Sequence, residues 1–450
     1  MRSWIAAALF ATLAACGGVT GTFTLELKTA PGSTILDGVT RARLTLSVPY
    51  RQVEATRGDD GKFHLSIDVP AEGPSGQLTF EGFDAAGNVV AWGRSGVLPI
   101  AAIDANVSIY VAPPVSLAAA PVSLDPPRTD IGVTRFNFGV LLVGGADATG
   151  APVDKVQVYD VYDHLFLGGE DMPAPRAGAS VAAGVTGYAY VFGGRGPNGT
   201  TGTFWRFDTT VEPSGQWLEI DEQPLLSRAG AAIAPVRTEG FVVTGDPPVL
   251  LDGISISATA IASAPAMAGT ATAVQLNDTI FTVIVGEGTG MGGIATIGPE
   301  GITEHTDAPT ARRTGHGAAG TRDAEVVVLG GAIGGVPTAT AIRVRPATDV
   351  FIERPSTLAT PRVDAAVGGN GVYAIVAGGR DAGGAILGDA EVFELETLER
   401  VGVIPMVVPR TGAVAASLAS GQILVLGGVD AAGAPVGTIE IFNPPAPENP

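Results

Sequence analysis

Cysteine is nearly absent from this chain: Cys16 stands alone among 450 residues. A single thiol forms no internal disulfide and builds no cysteine-based metal cluster. Histidine is almost as scarce. His64, His164, His305 and His316 are scattered, without the close spacing of a zinc-ligating pair. Charge is thin too, at 16% of residues, and it leans acidic: 45 Asp and Glu against 26 Lys and Arg, a net of −19. Nucleic-acid binding rests on basic side chains neutralising phosphates, so no nucleic-acid partner is expected. This composition is poor material for redox or zinc chemistry, and no cofactor is expected.

What is abundant points to turns and a core. The chain has 63 Gly and 33 Pro, which favour turns over long helices. Hydrophobic residues reach 46%, enough for a large core and too many for a disordered chain.

Residues 1–15 read as an export signal. Arg2 supplies its positive start and Ile5 to Leu13 its apolar stretch, well short of the roughly 20 apolar residues a spanning helix needs. The segment ends Leu13-Ala14-Ala15-Cys16, followed by Gly17-Gly18. This resembles the bacterial lipobox, in which small residues precede a Cys that is acylated and becomes the new N-terminus. The resemblance implies cleavage before Cys16, lipid on its sulfur, and a short tether over residues 16–21. Two or more acyl chains give stable anchoring, whereas one is marginal. Gly17 rather than Asp after the Cys implies sorting to an outer membrane, on its periplasmic or outer side.

Residues 22–112 alternate strand-like runs with turns. Thr22–Lys28, Arg41–Val48, Lys62–Val69, Gln77–Asp84, Val89–Gly93 and Val107–Val111 read as strands. Gln77–Asp84 and Val89–Gly93 form a hairpin by the chemistry of the intervening Ala85-Ala86-Gly87-Asn88. This many short strands in some 90 residues predicts a small β-sandwich. It resembles the immunoglobulin-like modules of bacterial surface proteins, here read as a spacer. Pro113-Pro114 and Pro126-Pro127 bracket an extended linker.

From about residue 113 to 445 one unit recurs, and internal repetition decides the fold. Apolar runs ending in Gly-Gly occur at Gly144-Gly145, Gly193-Gly194, Gly330-Gly331, Gly378-Gly379 and Gly427-Gly428. Weaker copies end at Gly245 and Gly286, so the spacing is 40 to 52 residues. An Arg precedes each pair by 16 to 18 residues: Arg128, Arg176, Arg228, Arg313, Arg362 and Arg410. The fourth unit has Met267-Ala268-Gly269 there instead. A third marker follows each pair, an aromatic or aliphatic strand such as Val156–Tyr159, Phe204–Phe207, Glu391–Leu395 or Ile439–Phe442.

A four-stranded antiparallel sheet cannot bury both faces alone, so such units close into a ring. The runs after the Arg markers are rich in Ala and Gly, as strands crowded about a channel must be. The pattern resembles the Kelch repeat, although most of that repeat's Tyr and Trp are missing and Trp217 is its clearest survivor. The expected fold is all-β: a seven-bladed Kelch-like β-propeller, or a six-bladed one if a weak copy is not a blade. The last unit lacks a fourth strand, which residues 115–122 are placed to supply. Residues 446–450 are a tail.

Catalytic signals are thin. Galactose-oxidase-like enzymes share the repeat, but their copper site needs a Cys–Tyr pair and two His, and Cys16 is committed to lipid. No stretch has the Asp-x-Asp-x-Asp-Gly pattern of a calcium loop, and no glycine run ends in the Gly-Lys-Ser/Thr of a phosphate cradle. His316 reads as a channel residue. In an antiparallel blade the Arg markers and the turns after Gly-Gly share one face. Its candidate binding residues are Arg176, Arg195, Arg228, Arg313, Arg362, Arg380, Asp381, Arg410 and Asp430. The leading expectation is a monomeric, non-catalytic, lipid-anchored envelope protein binding a protein or glycan. A hydrolase or lyase using acidic and Arg residues in the channel is the alternative, and a structural part of an envelope assembly is a third. Two carboxylates converging in a channel pocket would favour the enzyme.

Overall fold

In the computed structural model of the chain, the described residues are 8–12, 22–65, 75–99, 106–136, 139–211, 215–220, 222–237, 239–261, 271–275, 282–286, 293–298, 301–305, 312–345, 350–354 and 357–447. Cys16 and Met267-Ala268-Gly269 lie outside them. The described structure is all-β apart from two 3-10 turns.

The N-terminal unit has two main sheets that share one core. One runs in the order Arg51–Thr56, Arg41–Leu46, Leu78–Phe83, Val89–Arg94. The other pairs Thr22–Lys28 in parallel with Asn106–Tyr110. Ala8–Thr12, within the stretch read as export signal, adds antiparallel to the free side of Thr22–Lys28. Leu25, Leu27, Val107 and Ile109 from one sheet meet Leu44, Leu46, Leu78 and Phe80 from the other, all buried. Alternation produces this: Arg41–Leu46 shows every second residue buried. The expected hairpin forms, its turn organised by Asp84, whose Oδ1 accepts from Ala86 N at 2.9 Å and Asn88 N at 2.8 Å.

Two expectations need correcting. Arg51–Thr56 is a strand the pattern did not announce, because Arg-Gln-Val-Glu-Ala-Thr lies mostly exposed at a sheet edge. Residues 62–65 of the expected strand Lys62–Val69 are not a strand, although Phe63 and Leu65 are buried in the core; residues 66–69 lie outside the described residues.

Among the described residues, 116–443 form seven antiparallel sheets with four main strands each, and a two-stranded ribbon pairs Arg195–Gly196 with Gly199–Thr200. The leading strands are Gly132–Phe136, Ser180–Ala183, Ile233–Arg237, Ala271–Gln275, Thr314–Gly320, Ala366–Gly369 and Val414–Ser417. Each packs beside the leading strand of the next sheet, and Val414–Ser417 packs beside Gly132–Phe136. The second strands carry the apolar signal: Gly139–Val143 and Ile423–Leu426 are buried throughout. The seventh sheet takes its outer strand from before the repeats. Ser116–Ser123 pairs antiparallel with Thr438–Asn443, with Leu117 opposite Phe442.

The N-terminal unit packs on the ends of the first and seventh sheets where strand one turns into strand two and where strand three ends. Gln77 Nε2 donates to Ala419 O at 2.9 Å, and Ser108 N donates to Tyr162 O at 3.0 Å. Trp92 Nε1 donates to Pro444 O at 2.9 Å. His164 is enclosed there, at 1% exposure. Its Nε2 accepts from Tyr110 N at 3.1 Å, so the ring proton sits on Nδ1 and points at Tyr159 Oη, 2.9 Å away.

Burial, with a smaller repulsion from Lys28, pushes the His164 imidazole down to about 3. The folded state therefore binds fewer protons than the unfolded chain between about pH 3 and 6.5. The stability is complete above about pH 6.5 and is lost as pH falls. At about 1.4 kcal/mol per unit, roughly 2 kcal/mol should go between pH 6.5 and 5. His164→Asn keeps a residue tolerant of the left-handed backbone at φ 52° and removes the titration. Urea unfolding at both pH values should show a shallower acid loss in the variant. Equal losses in both proteins would assign the pH dependence elsewhere.

Candidate functional site

The Arg and Gly-Gly markers are two halves of one joint. Arg128 Nε donates to Gly144 O at 2.8 Å, and Arg313 Nη1 to Gly330 O at 2.8 Å. Arg362 Nη1 reaches Gly378 O at 3.2 Å, and Arg410 Nη1 reaches Gly427 O at 3.3 Å. In the weak third copy Arg228 Nη1 bonds Thr244 O at 2.8 Å. These five arginines thus close their own sheets' corners, which is why the two markers keep their spacing, whereas Arg176 Nη1 donates to Pro175 O at 2.8 Å. The backbone links neighbouring sheets. Gly145 N donates to Arg176 O at 2.7 Å, Gly194 N to Arg228 O at 2.8 Å, and Gly379 N to Arg410 O at 2.9 Å. Gly378 and Gly379 sit at φ 64° and 93°, and a Cβ on Gly378 would overlap Arg410 O, so only glycine fits.

The buried arginines have further internal partners. Arg362 Nη2 lies 3.0 Å from Glu391 Oε1, and Arg410 Nη2 lies 2.6 Å from Glu440 Oε1, all four side chains at 0% exposure. Burial pushes the Arg410 guanidinium down, opposed by Glu440. Arg176 stacks on Trp205, 4.6 Å from the ring centroid. As binding candidates, Arg228, Arg313, Arg362 and Arg410 give their donors to the protein itself, while buried Arg176 donates Nη1 to Pro175 O at 2.8 Å. Asp381 and Asp430 are held likewise. Asp381 Oδ1 accepts from Gly383 N and Ala385 N at 2.8 and 2.9 Å, and Asp430 Oδ1 from Ala432 N and Ala434 N at 2.9 Å each. Arg195 is exposed, with Nη2 bonded to Gly150 O at 3.2 Å.

The second residue after each Arg marker is left-handed: Asp130, Gly178, Gly230, Gly315, Asp364 and Gly412, with φ between 49° and 66°. These residues join sheet to sheet. Gly178 N donates to Asp130 O, Gly230 N to Gly178 O and Asp364 N to Gly315 O, each at 2.8 Å, and Gly412 N donates to Asp364 O at 2.9 Å. Four copies are glycine, as the dihedral favours. Two are Asp, a residue that carries strain in this region.

Both aspartates open onto one cavity. It measures about 390 Å³ and gathers residues from the first, fifth, sixth and seventh sheets, among them Thr129, Asp130, His316, Asp364, Arg380 and Thr411. Of the predicted binding residues, only Arg380 lines it. Asp130 and Asp364 are exposed, and among the described residues neither their carboxylates nor the Arg380 guanidinium makes a hydrogen bond or a close ion pair, although the Arg380 charge acts on Asp364. Partial desolvation at the cavity wall pushes the Asp364 carboxyl up although the residue is open to solvent, and the Arg380 charge partly offsets this. Sequence reasoning missed both aspartates. The signal was there: Arg-Thr-Asp and Arg-Val-Asp interrupt a series that otherwise reads Arg-x-Gly.

No protein-family model matches the chain, and a search of curated proteins returned no match. The site therefore has to be read from its own chemistry. Among the described residues no group of three or more His, Cys, Asp or Glu is placed to hold a metal ion, and no helix is long and apolar enough to cross a membrane.

Proposed function

We propose that the seven sheets are blades of a closed Kelch-like propeller joined to an immunoglobulin-like sandwich. On this reading the protein is a lipid-anchored envelope protein that binds a partner, without catalysis, at the cavity end of the ring. The succession of leading-strand contacts from first sheet to seventh and back to first supports the closure. So does the strand Ser116–Ser123, which completes the last sheet.

One observation carries the binding role. The cavity lies where the leading strands begin, and the N-terminal unit packs where strand one ends. A tether on that unit holds the opposite end of the sheets toward its surroundings, and that end has the uncommitted charged groups. Fractionation tests the anchor: Cys16→Ser should move the protein from the membrane fraction to the soluble one. A variant that stays fully membrane-bound overturns it. Cross-linking from intact envelopes tests the binding role, with a specific partner or glycan recovered as the expected result.

One observation favours a second reading. Asp130 and Asp364 are two carboxylates on one cavity, and Asp364 is pushed up as a general acid would be. Turnover of a glycan panel, abolished by Asp364→Asn, would establish a hydrolase or lyase. Binding is preferred because both carboxylates are exposed, and a general acid–base pair works in a water-excluded site.

A further inference from the structure

We propose that the cavity lined by Asp130, Asp364 and Arg380 receives an organic cation, an ammonium or guanidinium group, whose carrier also presents an oxygen acceptor to Arg380. The natural carrier is a lysine or arginine side chain of a partner polypeptide, with its backbone carbonyls at the mouth. This deepens the binding role proposed above and rests on it.

The case starts from what is spoken for and what is not. Around this end of the sheets the marker arginines are spent on carbonyls and glutamates. The turn aspartates Asp147, Asp381 and Asp430 are spent on their own backbone amides. Asp130, Asp364 and Arg380, the Asp and Arg side chains lining the cavity, have no such hydrogen bond among the described residues.

Backbone strain marks the same two positions. Asp130 at φ 49° and Asp364 at φ 55° occupy a site that is glycine in the other four copies. Glycine there would be easier for the chain, so the carboxylates are kept against a local cost. Asp364 also sits against its neighbour, since a Cβ on Gly315 would overlap its Oδ1.

Charge and shape then choose the ligand. Two carboxylates against one guanidinium leave the cavity net negative, which favours a cation. No Phe, Tyr or Trp lines it, so there is no aromatic platform for the face of a sugar ring. At about 390 Å³ it fits one side chain or one amino acid better than an extended oligomer. The single Arg380 requires an acceptor beside the cation, which a peptide carbonyl or a free carboxylate provides.

The test uses the full chain carrying Cys16→Ser, titrated by calorimetry and NMR with three probes. These are Nα-acetyl-lysine methylamide, its norleucine counterpart lacking the ammonium, and free L-lysine. The lysine amide should bind saturably and the norleucine amide at least tenfold more weakly. Asp130→Asn and Asp364→Asn should each weaken the lysine probe at least tenfold, and Arg51→Gln, at the exposed edge of the N-terminal unit, should leave it unchanged. Asn tolerates the left-handed backbone, and Asp→Gly restores the residue of the other copies. Asp130→Gly and Asp364→Gly should therefore bind as poorly as the Asn variants with no fall in melting temperature. Binding of free L-lysine alone would keep the cation site and assign it to amino acids. Equal binding of lysine and norleucine amides, or none by any probe at 10 mM or so, on the order of the weakest useful affinities, overturns the inference. If cross-linking recovers a partner that the Asp130→Asn/Asp364→Asn double variant still captures, this inference fails and the wider binding role stands.

Discussion

Arg410→Met is expected to destabilise the fold by about 3–5 kcal/mol, the usual cost of removing one partner from a buried ion pair. Arg410 and Glu440 both have 0% side-chain exposure and meet at 2.6 Å. Arg410 also donates to Thr438 O at 2.7 Å and Gly427 O at 3.3 Å. Methionine fills much of the volume but donates nothing. Glu440 would keep only the amides of Val407 and Val408, at 2.8 and 3.2 Å, to hold a buried negative charge.

The charge itself is tested by a second change. Arg410→Met with Glu440→Gln removes the stranded charge and keeps an acceptor for those amides, so the double variant should recover part of the loss. Arg128→Met provides a comparison. Its sheet has Gln157 where the sixth and seventh have Glu391 and Glu440, and Arg128 Nη2 has no partner. It should cost less. Chemical denaturation measures all three. A loss under about 1 kcal/mol for Arg410→Met would mean that the pair behaves as a surface one.

Asn443→Asp should cost about 3 kcal/mol and uncouple the N-terminal unit from the sheets, through an isosteric change that reverses hydrogen bonding. Asn443 is 0% exposed. Its Nδ2 donates to Trp92 O at 3.0 Å, Ala112 O at 2.9 Å and Pro113 O at 3.2 Å. Its Oδ1 accepts from Gln422 Nε2 at 2.9 Å, which also donates to Tyr110 O at 3.1 Å. A carboxylate would face three carbonyl oxygens with no proton to offer. Calorimetry should show one coupled transition in the parent and two in the variant, with faster proteolysis near Pro113-Pro114. An unchanged single transition would show that apolar contact, such as Tyr110 with its neighbours, holds the units together without this hub.

Some of the site was visible in the sequence and was read for the wrong reason. The Arg markers were recognised by spacing and taken as a possible contact surface. For Arg128, Arg313, Arg362 and Arg410 the spacing reflects a bond to the first glycine carbonyl of the same sheet, an internal demand that recurs wherever the joint recurs. Glu391 and Glu440 lay inside strands already recognised as apolar, and a lone charge there reads as solvent-facing until the buried Arg is in place. Asp130 and Asp364 are not legible from the repeat, because a repeat displays what its copies share and these two depart from the shared glycine.

The sequence alone determined the repeated unit, its strand order and its all-β class. Those follow from local rules: alternation along a strand, glycine where φ is positive, apolar runs where both faces are covered. It also marked the strand that completes the last sheet, because an unpaired edge demands a donor. Only the tertiary structure decided which charges are free. Whether an Arg or Asp faces solvent, a carbonyl or another sheet depends on residues far away in the chain, and no local pattern encodes that. At the cavity end of the sheets Arg128, Arg313, Arg362, Arg410, Asp381 and Asp430 are held in joints and turns, and the cavity brings together Asp130, Asp364 and Arg380, whose side chains are not.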